Sequence, residues 1–209
     1  NAEVWNGTNW TEVNNLNATR NYLAGAGDSS TAGLAIAGYT PSPPSSSDLC
    51  ELWNGTNWTE VNDLVRPESS VGAAAGISTS AIYFGGEEDP GTQPTNTESW
   101  NGTNWTEVNN LNQGRKALAG AGASNTNALA FGGETPPSLV ALTESWDGTN
   151  WTEVADLNTG RYALGGSGTN TAALAFGGLD PSRTAASEEW NFTNLVASWS
   201  TGGSLNQAR

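Results

Sequence analysis

The chain of 209 residues contains no histidine, no methionine and a single cysteine, Cys50. Without histidine there is no imidazole to serve as general base, to activate a thiol or hydroxyl, or to ligate zinc. One cysteine forms no disulfide within the chain and builds no cysteine-rich metal site. Cys50 stands just before a Glu-x-Trp string, where another part of the chain has Thr97. With nothing to deprotonate it, it reads as a small strand residue and not a nucleophile. Basic residues are also scarce: 7 Lys and Arg against 21 Asp and Glu leave a formal net charge of −14. Nucleic acids and anionic membranes are gripped through Lys/Arg patches, so this balance opposes both as partners. No apolar run approaches the length of a membrane span, and no signal-peptide pattern opens the chain. Starting at Asn1 without methionine, the sequence reads as a processed or partial product of a longer gene. No metal and no cofactor is expected.

Tryptophan, by contrast, is abundant. Ten residues form five pairs: Trp5/Trp10, Trp53/Trp58, Trp100/Trp105, Trp146/Trp151 and Trp190/Trp199. The first members follow one another at intervals of 48, 47, 46 and 44 residues. Three pairs bracket the identical string Trp-Asn-Gly-Thr-Asn-Trp, and the fourth changes only one Asn, to Asp147. A fixed period in the forties with one hairpin signal per period marks an array of small sheets, usually a propeller. Each unit is too short to bury a core without its neighbours, so residues 1–209 read as one domain. A half unit at 1–15 precedes units at 16–63, 64–110, 111–156 and 157–209.

One unit is clearest between Arg115 and Leu157. Small apolar residues from Ala117 to Ala121 lead to a polar turn at Ser124-Asn125-Thr126-Asn127, then to Ala128-Leu129-Ala130-Phe131, stopped by Gly132-Gly133. A variable segment, Glu134 to Thr143, leads into Glu144-Ser145-Trp146, the Asp147-Gly148-Thr149 turn, and Trp151-Thr152-Glu153-Val154. This predicts four short strands per unit and no helix. Asn-Gly and Asp-Gly suit hairpins because those residues accept positive φ, and the flanking tryptophans then meet across the hairpin. Glycine pairs such as Gly85-Gly86 and Gly177-Gly178 fit close backbone approach. First strands such as Val71-Gly72-Ala73-Ala74-Ala75-Gly76 suit crowding around the axis of a ring.

A glycine pair, an aromatic before a turn, a tryptophan five residues later, a Leu and an Arg opening the next unit recur in this order. The pattern resembles the kelch repeat across essentially the whole chain. That resemblance implies a β-propeller with one four-stranded blade per repeat. The first unit departs with Ala37-Gly38 for the glycine pair, and Trp100 and its equivalents stand where the family usually has Tyr. Strings such as Leu-Ala-Phe-Gly-Gly and Trp-Asn-Gly-Thr-Asn-Trp-Thr-Glu-Val also resemble kelch-like repeats of environmental phage virion and bacterial surface proteins. The absence of histidine excludes the histidine-ligated copper centre of galactose-oxidase-like kelch enzymes. The hairpin string is similar to the Asp-box of sialidases, but the arginines are spread one per unit and form no triad.

The chain holds five outer hairpins but only four inner ones, stopping at Leu205-Asn206-Gln207-Ala208-Arg209 where a fifth would begin. Five periods of about 46 residues need about 230. The expected fold is therefore all-β: a propeller of four complete blades plus an outer half-blade, from a five-bladed ring or a larger one cut short.

Repetition also sorts the candidate sites. Glu3, Glu51, Glu98, Glu144 and Glu188 each stand two residues before a tryptophan, and Glu12, Glu60, Glu107 and Glu153 each follow Trp-Thr. Paired carboxylates can hydrolyse glycosides, but an active site needs an asymmetry these copies lack. They read as framework, facing solvent or bridging Arg20, Arg66, Arg115, Arg161 and Arg209, taken as one repeat position. Asn6, Asn9, Asn17, Asn54, Asn57, Asn101, Asn104, Asn150 and Asn191 open Asn-x-Thr sequons, most of them copies of the turn string. The ten tryptophans read as packing between blades, with sugar stacking as the rival reading.

What does not repeat is the better functional candidate. The segments Tyr39 to Asp48, Glu87 to Thr97, Glu134 to Thr143 and Leu179 to Ser187 join second to third strands and hold every proline except Pro67. Stiff, variable loops on a rigid scaffold are where binding specificity is usually placed. The candidate binding residues are Tyr39, Pro41, Glu87, Glu88, Asp89, Glu134, Leu139, Leu179, Asp180 and Arg183; Glu87, Glu88 and Asp89 carry carboxylates suited to Ca²⁺ but without a calcium-loop spacing. The expectation is a non-catalytic structural or adhesion module of a virion or cell surface. Its partners would be other structural proteins, further copies of itself, or a surface glycan. The alternative is a lectin with one sugar pocket at each blade junction.

Overall fold

The computed structural model describes residues 1–41, 44–66, 71–88, 91–193 and 196–207. Pro67, Asp89, Ala208 and Arg209, invoked above, lie outside the described residues. In chain order, β1 (Ala2–Trp5) and β2 (Trp10–Val13) form a lone hairpin. There follow β3 (Ala24–Ser29), β4 (Ala32–Ile36), the small hairpin β5 (Tyr39–Pro41) and β6 (Pro44–Ser46), then β7 (Cys50–Trp53) and β8 (Trp58–Val61). Strands β3-β4-β7-β8 make the first four-stranded antiparallel sheet. The second comprises β9 (Ala73–Ile77), β10 (Ser80–Phe84), β11 (Thr97–Trp100) and β12 (Trp105–Glu107). The third takes β13 (Ala119–Ser124) and β14 (Asn127–Phe131), passes through the minor hairpin β15 (Glu134–Thr135) and β16 (Ser138–Leu139), and ends with β17 (Thr143–Trp146) and β18 (Trp151–Glu153). The fourth is β19 (Gly165–Gly168), β20 (Ala172–Phe176), β21 (Ser187–Thr193) and β22 (Val196–Thr201). No helix occurs among the described residues.

The outer hairpins follow from the turn string. Trp5 pairs with Trp10, Trp53 with Trp58, Trp100 with Trp105, Trp146 with Trp151 and Trp190 with Trp199, so four residues close each of the first four turns. Only the glycines take positive φ there: Gly7 +95°, Gly55 +91°, Gly102 +92° and Gly148 +95°. The asparagine acts through its side chain instead. Asn6 Oδ1 accepts from the amides of Thr8 and Asn9, both at 2.9 Å, and Asn54 and Asn101 do the same. Asp147 keeps this turn with its carboxylate, accepting from Thr149 and Asn150 at 2.8 Å each, and those donors lower its pKa. The expected role of Asn and Asp as positive-φ residues is thus corrected to that of side-chain caps.

The small first strands pack on one another in the row β3–β9–β13–β19. A Cβ at Gly120 would lie 2.7 Å from the Ala74 carbonyl, and one at Gly166 would lie 2.6 Å from the Gly120 carbonyl, so larger residues are shut out. Just ahead of these strands a backbone ladder crosses from sheet to sheet. Val71 N–H donates to Tyr22 O at 3.1 Å, Ala117 to Val71 at 2.7 Å and Ala163 to Ala117 at 2.8 Å. Tyr22, Val71, Ala117 and Ala163 all have φ between +52° and +68°. Each such residue costs about 1–2 kcal/mol, which the ladder offsets by satisfying a backbone pair at every step.

Between consecutive sheets lies an apolar layer with one recurring recipe. Leu34 and Ile36 of the first sheet meet Ala81, Tyr83, Trp100 and Trp105 of the second. Ile82 and Phe84 meet Ala128, Ala130, Trp146 and Trp151. Leu129 and Phe131 meet Ala173, Ala175, Trp190 and Trp199. Phe84–Trp151 and Phe131–Trp199 stand edge to face with centroids 4.9 Å apart, a geometry that adds about 0.5–1.5 kcal/mol beyond burial. Trp100, Trp146 and Trp190 are 1% exposed. Trp5 and Trp10, at 46% and 64%, depart from the framework reading because no sheet among the described residues covers them. The other end of the array has the complementary gap: Leu174 is 37% exposed where Leu129 is fully buried.

Candidate functional site

Three kinds of candidate residue separate once placed on this scaffold. The first is the repeated Glu two positions before tryptophan. Glu51, Glu98, Glu144 and Glu188 are buried. Arg20 Nη2 lies 2.9 Å from Glu51, Arg115 Nη1 lies 2.6 Å from Glu144, and Arg161 Nη2 lies 3.2 Å from Glu188. Each arginine comes from the linker that precedes the sheet holding its glutamate. The other carboxylate oxygen takes a linker amide: Asn17 at 2.7 Å, Asn112 at 2.8 Å and Asn158 at 2.7 Å. Linker and sheet are thereby clasped through a buried ion pair, and both oxygens of each carboxylate are engaged out of reach of solvent. Desolvation lowers the Arg115 pKa, and Glu144 opposes that shift. The outer carboxylates Glu12, Glu60, Glu107 and Glu153 face solvent.

Arg66 breaks the pattern. It follows Leu64 by two positions, whereas Arg20, Arg115 and Arg161 follow Leu16, Leu111 and Leu157 by four. Its side chain is 53% exposed and pairs with the outer Glu107. Glu98 is instead held by the amides of Val65 at 2.8 Å and Arg66 at 3.1 Å, and burial raises its pKa. The assignment of all five arginines to one repeat position therefore fails at Arg66.

The second group, Cys50 and the tryptophan indoles, is structural. Cys50 is fully buried, and burial pushes its pKa up to about 12, which leaves it no thiolate character at neutral pH. Trp151 Nε1 donates to Thr97 Oγ1 and Trp199 Nε1 to Thr143 Oγ1, both at 3.1 Å. At the equivalent joints Trp105 faces Cys50, and Trp58 faces the unit in which Ala2 takes the threonine position. Both indole nitrogens are buried without a hydrogen bond.

The third group is the loop set. Strand two ends beside the start of strand one in every sheet, as in the pairs Ile36↔Ala24, Phe84↔Ala73, Phe131↔Ala119 and Phe176↔Gly165. The ladder through Tyr22, Val71, Ala117 and Ala163 holds those starts at one end of the array, so the variable segments emerge there together. They are better ordered than plain loops: two contain hairpins, and Asn21, Lys116 and Tyr162 form bridges to Tyr39, Glu134 and Leu179. Pro41 and Arg183 are exposed; Tyr39, Glu87, Glu88, Glu134, Leu139, Leu179 and Asp180 are half-buried. Lys116 Nζ links two adjacent segments, at 2.8 Å from Glu87 and 3.7 Å from Glu134. Glu87 is thus already neutralised by a lysine.

Two recesses flank the array. One of 640 Å³ lies at the open side of the fourth sheet, lined by Ala163, Gly165, Phe176 and the segment Leu205 to Gln207. Another of 470 Å³ lies between the β1–β2 hairpin and the first sheet, lined by Val4, Trp5, Val13, Trp53 and Trp58. Sequence reasoning missed the offset of the clasp, the ladder and the loop hairpins. Only the clasp had a signal, in the paired recurrence of Leu-Asn-x-x-Arg and Glu-x-Trp. No protein-family model and no curated protein matches this chain.

Proposed function

We propose that the chain is a kelch-like β-propeller, four blades and an outer half-blade, that serves as a non-catalytic structural or adhesion module on a virion or cell surface. The sheets stack with small first strands against one another and tryptophan-bearing outer hairpins away from them, which is how blades meet around an axis. The observation that carries the functional reading is the gathering of all four non-repeating segments at one end, two of them linked by Lys116 between Glu87 and Glu134. A surface whose sequence varies while its scaffold repeats is built for contact and not for turnover. The partner would be another structural protein or a surface glycan.

Cross-linking mass spectrometry on the native assembly tests this. Acid-to-amine cross-links from Glu87, Glu134 and Lys116 to another chain are expected. A native particle whose cross-links all come from the opposite end would refute it. Glycan-array binding lost on tryptophan substitution but kept on loop substitution would favour the lectin reading instead. That outcome has less support, because Trp100, Trp146 and Trp190 are 1% exposed.

A further inference from the structure

The first four outer turns share one geometry but not one chemistry. Three place asparagine before glycine, at Asn6-Gly7, Asn54-Gly55 and Asn101-Gly102, and the fourth has Asp147-Gly148. All of these residues are exposed. The amides of Gly7, Gly55 and Gly102 have no acceptor among the described residues. Asn101 Oδ1, by contrast, accepts from the amides of Thr103 and Asn104, both at 2.9 Å, and Asn6 and Asn54 are held in the same way. The preceding unit braces the second and third turns. Asn14 Nδ2 donates to Thr56 O at 2.9 Å and to Asn57 Oδ1 at 2.8 Å, and Asn62 Nδ2 to Thr103 O and Asn104 Oδ1 at the same distances. Two N–H donors fixed on one amide oxygen stabilise addition to the carbon that bears it, because the developing negative charge collects there. We propose that Asn6, Asn54 and Asn101 are sites of self-modification, where the glycine nitrogen attacks the asparagine side chain and the turn directs the product to normal aspartate.

At the third turn, Gly102 N loses its proton to hydroxide and bonds to Asn101 Cγ, with the charge on Oδ1 between the two amides. The Cγ–Nδ2 bond breaks, and Nδ2 takes a proton from water and leaves as ammonia, which closes a succinimide ring. Water then adds to one of the two imide carbonyls. Addition at Cγ breaks its bond to Gly102 N and leaves aspartate, whereas addition at the main-chain carbonyl carbon reroutes the chain through Cβ as isoaspartate. The donors on Oδ1 activate Cγ and so favour aspartate. In sum, asparagine and water give aspartate and ammonia, with no change of oxidation state. Asp147 shows that the turn accepts the product. Its carboxylate takes the amides of Asn150 and Thr149 at 2.8 Å each, and these donors hold its pKa down. Isoaspartate adds a main-chain atom to a turn closed by Asn101 N–H on Asn104 O at 3.3 Å. Asn57 and Asn104 stand in the same turns but precede Trp58 and Trp105, which open strands and crowd ring closure. Cys50, Thr97 and Thr143 pair with Ile36, Phe84 and Phe131 at the end that carries the variable segments, so the turns lie at the opposite end. Each conversion adds a negative charge there to a chain already at −14. The variable segments take no part, and failure of this proposal leaves the preceding one standing.

Peptide mapping by mass spectrometry tests this on the 209-residue chain, aged at mildly alkaline pH in heavy-oxygen water, native and in guanidinium. In the native chain Asn6, Asn54 and Asn101 should each gain one heavy oxygen, while Asn57 and Asn104 stay unlabelled. Asn101→Gln, which needs a larger ring, should abolish labelling at that turn alone. The ratio of aspartyl to isoaspartyl peptide, separated by chromatography, should be at least about threefold higher for the native chain than for the unfolded one, because unfolding removes the donors from Oδ1. A native chain that leaves all three Asn-Gly sites unlabelled, labels Asn104 as fast as Asn101, or gives the same product ratio folded and unfolded overturns the proposal.

Discussion

Replacing Glu144 by Gln changes one oxygen to an amide and almost no volume, so its effect isolates the charge of the clasp. Arg115 is fully buried, its Nε has no partner, and its remaining acceptor is Ala130 O at 3.2 Å. Removing the carboxylate leaves a guanidinium desolvated and unpaired, which costs about 3–5 kcal/mol. Against a stability of about 5–15 kcal/mol for a typical domain, that is a large fraction. Arg115→Met should cost less than Glu144→Gln, because Glu144 Oε2 keeps Asn112 N and Nδ2, both at 2.8 Å. In Arg115→Met/Glu144→Gln no charge is buried. The double variant should therefore fall short of the summed single effects by about 2–3 kcal/mol. Urea titration followed by tryptophan fluorescence, checked by calorimetry for a single transition, gives all four corners of the cycle. A double variant as destabilised as the sum of the singles would show that Arg115 and Glu144 act independently, and the clasp would be wrong.

Three further outcomes follow from the repeat variations. Glu98 has two amides but no buried arginine, and its folded pKa lies above the ordinary 4.5. The folded state then binds the extra proton more tightly, so Glu98 destabilises the protein increasingly as pH rises from below that value through the raised pKa. Glu98→Gln should remove that slope and raise the thermal midpoint at neutral pH; an unchanged slope refutes it. Cys50→Thr supplies Trp105 Nε1 with the hydroxyl that Thr97 and Thr143 give elsewhere, and should stabilise by about 1 kcal/mol in urea titration. Native Cys50 should also resist thiol reagents until the chain is unfolded. Asp147→Asn should leave the thermal midpoint near the original value at neutral pH, because the neighbouring hairpins use asparagine in the same turn. Asp147→Ala should lower it, and equal midpoints for the two variants would refute the capping role.

The strands, their order and the direct pairing of the tryptophans were legible in the sequence, because apolar alternation and turn strings act over a few residues. The third unit matches almost residue for residue: β13, β14, β17 and β18 fall on the segments read between Ala117 and Val154. The fate of individual side chains was less legible. Trp10 and Trp105 sit in identical strings, yet one is 64% exposed and the other 5%, because exposure depends on whether a neighbouring sheet arrives. Arg66 looked like one more copy, but a two-residue shift relative to Leu64 takes it off the buried glutamate. The loop residues lie, as a set, in the segments that join second to third strands. Their internal bridges, and the capture of Glu87 by Lys116, arise from contacts between segments that share no sequence signal.

The clasp also bears on how such a chain can change its length. Because Arg20, Arg115 and Arg161 are each received by the sheet that follows them, a period of the sequence carries both halves of its own clasp. Deleting or duplicating one period, at whatever point the cut falls, rejoins a donor linker to an equivalent glutamate and a tryptophan pair to an equivalent apolar face. The nearly identical Trp-Asn-Gly-Thr-Asn-Trp strings are themselves sites where unequal recombination would align. Sheet number can then rise or fall by one in a single genetic step without creating any contact the protein does not already make.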